Sequence, residues 1–148
     1  MANAEQRPAP WHHWLVSLLA IVWNGFGAFD YSMTQLQGEV WLRRMNMTEA
    51  QIGFMNAMPG WAFAVWAVGV WGGVLGGLLL LFRSRFAAPV FLLSLAAFLL
   101  SLVNSYLLMN GAEVMGGPQA FGMNAIILAG CLFFLWYARR AAARGILR

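Results

Sequence analysis

The stretch PGWAFAVWAVGVWGGVLGGLLLLF, Pro59–Phe82, runs for 24 residues without one charged side chain. As an α-helix it is about 36 Å long, enough to cross a hydrocarbon core of about 30 Å with some tilt. Three further stretches of the same character lie around it: Trp14–Met33 before it, and Pro89–Met109 and Pro118–Ala138 after it, of 20, 21 and 21 residues. Together the four take 86 of the 148 residues, which leaves no room for an attached soluble domain. The expected fold is therefore all-α, a four-transmembrane-helix bundle forming one integral membrane domain over residues 1–148. Composition agrees, because 61% hydrophobic and 9% charged residues with a mean hydropathy of +0.68 leave too little polar surface for a water-soluble domain. The lone cysteine, Cys131, excludes a disulfide framework.

The prolines mark the same boundaries independently of hydropathy. Pro10, Pro59, Pro89 and Pro118 stand at or just before the start of an apolar stretch, where a missing N–H costs no helical hydrogen bond. A β-barrel is disfavoured, because the runs do not alternate apolar with polar residues. The polar start, with Asn3, Glu5, Gln6 and Arg7, is not followed by a small-residue cleavage site, so the first span is expected to be retained.

All nine basic residues are arginine. An even number of spans puts Arg7, Arg83, Arg85, Arg139, Arg140, Arg144 and Arg148 at one end of the bundle, and only Arg43 and Arg44 at the other, with Glu39, Glu49 and Glu113. This asymmetry predicts both termini on the cytoplasmic side, N-in and C-in. Orientation and anionic lipid account for the net charge of +4, so nucleic acid is not expected as a partner. The tail Arg139–Arg148 is able to extend the fourth span along the membrane surface, with topology anchoring favoured as its role over protein docking. Trp11, Trp14, Trp61, Trp136 and Tyr137 fall near span ends, as interfacial anchors do.

Residues 34–58 form the one long loop, on the periplasmic side in this orientation. Thr48-Glu49-Ala50-Gln51 matches a capping box with Thr48 as N-cap, so a short interfacial helix is predicted from Glu49 towards Pro59. Val40, Trp41, Leu42 and Met45 are expected on the same surface, as a lipid-associated cover or as a lid.

Few polar groups fall within the spans. Asn24 lies near the bilayer midplane, and Ser17, Asn24, Gly27 and Tyr31 share one helix face that should turn inward. Asp30 is the only carboxylate inside any span, placed either to reach water at the boundary or to act as a binding or coupling group. Ser94, Ser101, Asn104 and Ser105 form a partial polar stripe on the third span. Asn24, Asp30, Tyr31, Ser101, Asn104 and Ser105 are thus the candidates for a solute path, the alternative being hydrogen bonds that hold the bundle. The second span carries Gly69, Gly73 and Gly77 at i, i+4 spacing, with Gly72 and Gly76 one register over, a pattern for close helix packing whose partner the sequence leaves open. His12 and His13 are adjacent and without a third ligand; no phosphate loop, haem motif or nucleophile–base pair is present. Neither an enzyme nor a cofactor is expected.

The runs WNGFGAFDYSMTQ (Trp23–Gln35) and PGWAFAVWAVGVWGGVLGGLLLLFRSRFAAP (Pro59–Pro89) resemble small four-helix inner-membrane proteins of Gram-negative bacteria, some of which carry a sugar-transporter description. The resemblance covers the first two spans and the loop after Phe82, and the third span more loosely. It implies an inner-membrane location and offers no catalytic residues to carry over. Two functions fit: a transporter-like homo-oligomer, with the solute path between copies because four helices enclose little volume, or a non-catalytic accessory subunit among other membrane subunits.

Overall fold

A computed structural model describes residues 7–148, and the polar positions Asn3, Glu5 and Gln6 lie outside the described residues. The chain is helical throughout, with no strand among the described residues. In chain order the helices are α1 (Trp11–Gln37), α2 (Glu39–Arg44), α3 (Glu49–Asn56), α4 (Gly60–Leu81), α5 (Ala87–Val103), α6 (Ala112–Met115) and α7 (Pro118–Ala143); a π turn, Asn104–Leu108, continues α5. Helices α1, α4, α5 with its π turn, and α7 are long and apolar enough to cross a membrane.

The ends differ from the expected ones for local reasons. Helix α1 runs past Met33 to Gln37, with the Ser32 and Thr34 hydroxyls satisfied by the carbonyls of Ala28 and Asp30, and it stops at Gly38, whose φ of +54° suits glycine. Helix α7 continues through Arg139 and Arg140 to Ala143. The tail beyond it does not lie along the membrane surface. The chain reverses at Gly145 (φ +72°) and buries Ile146 and Leu147 in the core. Backbone bonds from Arg148 N–H to the Arg83 carbonyl (2.6 Å) and from Arg85 N–H to the Arg148 carbonyl (2.8 Å) fasten it to the α4–α5 turn. Apolar side chains gain more from this core than from the interface, and Arg83 supports the reversal by donating Nε–H to the Ile146 carbonyl at 2.9 Å.

Packing runs α1 against α4, α4 against α5 and α5 against α7, with α4 central. Its glycines divide between two partners. A Cβ at Gly77 would stand 3.0 Å from the Ile21 backbone nitrogen of α1, and one at Gly73 would overlap the Asn24 side chain. On the other side, a Cβ at Gly76 would sit 2.8 Å from the Phe91 ring of α5, while Gly69 and Gly72 face Ala97 and Ser94. Lipid tails are as apolar as leucine, so backbone proximity and dispersion hold these helices together. Ser94 adds a 2.6 Å hydrogen bond to the Gly69 carbonyl.

The half of the bundle nearer the seven arginines holds the larger packed core. Ala20, Leu80, Phe91, Phe134, Tyr137 and Ala138 form its core with the folded-back tail. His13 is fully buried there and donates Nε2–H to the Leu80 carbonyl at 2.8 Å. Tyr137 is not an interfacial anchor: it is buried and hydrogen-bonded to His12 Nδ1 at 2.8 Å, whereas Trp11, Trp14, Trp61 and Trp136 are exposed as expected of a belt.

Replacing Gly77 by leucine is expected to separate α1 from α4 and to lower the unfolding midpoint in detergent, since overpacking costs about 1–3 kcal/mol. Gly122→Leu, where a Cβ meets nothing within 4 Å, should leave the midpoint unchanged.

Candidate functional site

The other half of the bundle is hollow. A cavity of about 790 Å³ lies between the four spans, from Asn24, Ser94 and Cys131 near mid-depth to Leu42, Met55 and Met115 beneath the loop helices. The four helices of one chain thus border a cavity of this volume that stays open to one side. The reason lies in the neighbours: α4 meets both α1 and α5 closely through glycine, whereas α1 and α7 make no extended backbone contact. They meet at the arginine end through the His12–Tyr137 bond, and near mid-depth, where a Cβ at Gly130 would lie 3.2 Å from Trp23 Nε1. Beyond that point the cavity reaches the lateral surface, with Phe26 of α1 and Met123 of α7 in its wall although they are 70% and 53% exposed.

Of the six path candidates, Asn24, Asp30, Ser101, Asn104 and Ser105 line this cavity, and Tyr31 does not. Tyr31 instead sets its ring edge-on to Trp66 at 5.0 Å, on the side of α1 that packs against α4. Asn24 does not reach across to the serines of α5. Its amide donates to the Ala20 carbonyl one turn back, at 2.8 Å. Asp30 accepts a 2.8 Å hydrogen bond from Trp41 Nε1, which ties the only carboxylate of the spans to α2. Asn104, 2% exposed, opens the π turn: its carbonyl accepts from Met109 N–H at 2.9 Å, and its amide approaches Met109 Sδ at 3.5 Å. Single π turns inside α-helices often mark functional positions because they redirect side chains. Tyr106, in the same turn, donates to the Met115 carbonyl at 3.2 Å and accepts from Asn124 at 2.9 Å, which brings α7 to the cavity wall.

The loop between α1 and α4 forms the roof. Helix α3 begins at Glu49 with the capping box complete, Gln51 N–H on the Thr48 hydroxyl and Thr48 N–H on the Gln51 side chain. Leu42, Ile52 and Met55 are buried together against Trp41, Met47, Met58, Phe63 and Trp66, so α2 and α3 close over the bundle. Gln51 Nε2–H reaches the Val114 carbonyl of α6 at 3.4 Å. Arg43 joins α2 to α3 by pairing with Glu49 and, at 3.5 Å, with Glu39. The hydrogen bond from Arg43, and then its charge, hold the Glu49 carboxyl below its usual range. A lowered carboxylate contributes above its unfolded-state pKa and is lost as pH falls through the folded-state value, so this clip holds at neutral pH and opens in acid.

The lining that sequence reasoning missed is methionine. Six of the nine, Met45, Met47, Met55, Met58, Met115 and Met123, face the cavity, joined by Trp23, Trp66 and Phe98. The signal was present as M-x-M at Met45–Met47 and M-x-x-M at Met55–Met58, but nothing in a single sequence says that these segments fold over a hollow. Methionine is unbranched and polarisable, and it adapts to ligands of varied outline. The few polar side chains are spread over a mainly apolar wall, which suits a small molecule with an apolar body and a limited polar end. Among the described residues, no group of three or more His, Cys, Asp or Glu side chains could hold a metal ion. Comparison with family models, with curated proteins and with solved structures finds no match.

The Asp30–Trp41 tether makes the roof testable through Arg43 and Arg44, which are trypsin sites in α2. Trp41→Phe and Asp30→Leu should each raise the cleavage rate there severalfold, whereas Asp30→Asn, which keeps an acceptor oxygen for the indole N–H, should raise it less than Asp30→Leu does.

Proposed function

We propose that this chain is a multi-pass protein of a bacterial inner membrane, with both termini cytoplasmic, that binds a small amphipathic molecule in the cavity between its spans. The cavity itself carries the reading, since about 790 Å³ falls within the range of small-molecule sites. The split of the arginines, seven against two, supports the orientation. The cavity then sits in the periplasmic half of the bilayer, and its molecule arrives from that leaflet between Phe26 and Met123.

A sugar is a poor fit, because most polar side chains of the wall already bond within the chain, among them Asn24, Asp30, Thr34, Ser94, Tyr106 and Asn124. Transport from this site requires the arginine-side half to open, and there the core around Leu80, Phe91 and Phe134 bars the way. The transporter reading therefore asks for a second conformation in which α1 and α7 part at His12 and Tyr137.

The single cysteine provides the test, since Cys131 is a native thiol in the cavity wall. Native mass spectrometry of gently extracted protein should show a co-purifying small molecule at one per chain, and N-ethylmaleimide should modify Cys131 at least fivefold faster once that molecule is stripped. Ile127→Trp, which fills the cavity from α7, should abolish retention while leaving the unfolding midpoint within a few degrees. Foreign protein subunits at fixed stoichiometry, with no small molecule and a freely modified Cys131, would instead establish the accessory-subunit reading.

A further inference from the structure

At the arginine end the α1–α7 seam holds a second, smaller hollow of about 330 Å³, and its wall includes His12, Phe133, Trp136, Tyr137, Arg140 and Arg144. We propose that this hollow binds the phosphate of an anionic phospholipid. Phe133, Tyr137, Arg140 and Arg144 follow one another at steps of four, three and four, so they form a single stripe along α7 to its C-cap, Arg144. The stripe runs from a half-exposed aromatic ring at hydrocarbon depth to two guanidinium groups at the end of the helix. A phospholipid has the same order of parts, an acyl chain below and a phosphate above.

The chemistry at the upper end is donor-rich. Arg140 lies over the Trp136 ring, its guanidinium carbon 5.3 Å from the ring centre, which holds the cation at the hollow while its N–H groups stay free for an anion. Arg144 stands one turn further on. The Tyr137 hydroxyl lies 2.8 Å from His12 Nδ1; with the hydroxyl donating to Nδ1, His12 carries its proton on Nε2 and offers a third donor. No salt bridge involves the arginines of this end among the described residues, whereas Arg43 at the opposite end is paired with two glutamates. The neighbouring arginines are otherwise occupied or lie outside. Arg83 gives its side chain to the carbonyls of Ile146 and Arg7, Arg85 stacks on Phe86, and Arg139 is not part of the wall. Basic pockets between helices on the cytoplasmic side are the usual form of anionic-headgroup sites. The volume admits a headgroup phosphate and the start of a chain rather than a whole lipid, whose remainder would lie along Phe133 in the bilayer.

The test uses the full chain in phosphatidylcholine nanodiscs, titrated with phosphatidylglycerol and, separately, with inorganic phosphate, and read by native mass spectrometry. Phosphatidylglycerol should be retained in preference to phosphatidylcholine, R140Q/R144Q should weaken retention at least tenfold, and R139Q, which removes equal charge from the same helix end, should leave it within twofold. Both arginines are exposed, so the unfolding midpoint should not move; if the double variant fails to fold, R144Q alone should still weaken retention about threefold. An equal loss in R139Q would overturn the proposal in favour of diffuse attraction to the arginine end. Retention that shows no headgroup preference would overturn it too, and inorganic phosphate binding as tightly as the lipid would transfer the site to a soluble anion.

Discussion

The close approach of α4 to two neighbours at once is the constraint on which the remaining architecture depends. Helices in a bilayer gain nothing by hiding apolar side chains from one another, so they associate where backbones can come near. Alternating glycines give α4 two such faces: Gly73 and Gly77 receive Asn24 and Ile21 of α1, and Gly69, Gly72 and Gly76 receive Ala97, Ser94 and Phe91 of α5. With its small residues spent on those contacts, α4 leaves α7 to pack on α5 alone. The fourth side of the bundle is then a seam rather than a packed interface.

That seam closes and opens in different ways along its length. At the arginine end it is sealed by His12, His13 and Tyr137, and the reversed tail supplies Ile146 and Leu147 to the same core. Towards the other end α1 and α7 carry no comparable bridge, and the space is bounded instead by the methionines of the loop helices. One half thus holds the larger packed core, with the smaller hollow at its α1–α7 seam. The methionine-rich lining of the other half leaves a space that the chain itself does not fill.

Polar groups follow the same division. In hydrocarbon an unpaired hydroxyl or amide is costly, and on α1 four of them turn back to carbonyls of their own helix: Ser17 to His13, Asn24 to Ala20, Ser32 to Ala28 and Thr34 to Asp30. Asp30 is different, because a carboxylate accepts only and finds no donor on its own helix; it takes the indole N–H of Trp41 and so fixes the roof to α1.

Hydropathy, proline placement and the capping box made the four spans and α3 legible, because each is a local property: a run of apolar side chains must be long enough to cross, and a helix start must satisfy its own N–H groups. The inward face of α1 at Ser17, Asn24 and Gly27 was legible for the same reason, through helical period alone. What packs on what was not. The division of the α4 glycines, the reversal at Gly145 that withdrew the tail from the surface, the burial of Tyr137 and the methionine-lined hollow all arise between segments far apart in the chain. Spacing along one helix says which residues share a face; only the assembled bundle decides whether that face meets another backbone, lipid or empty space.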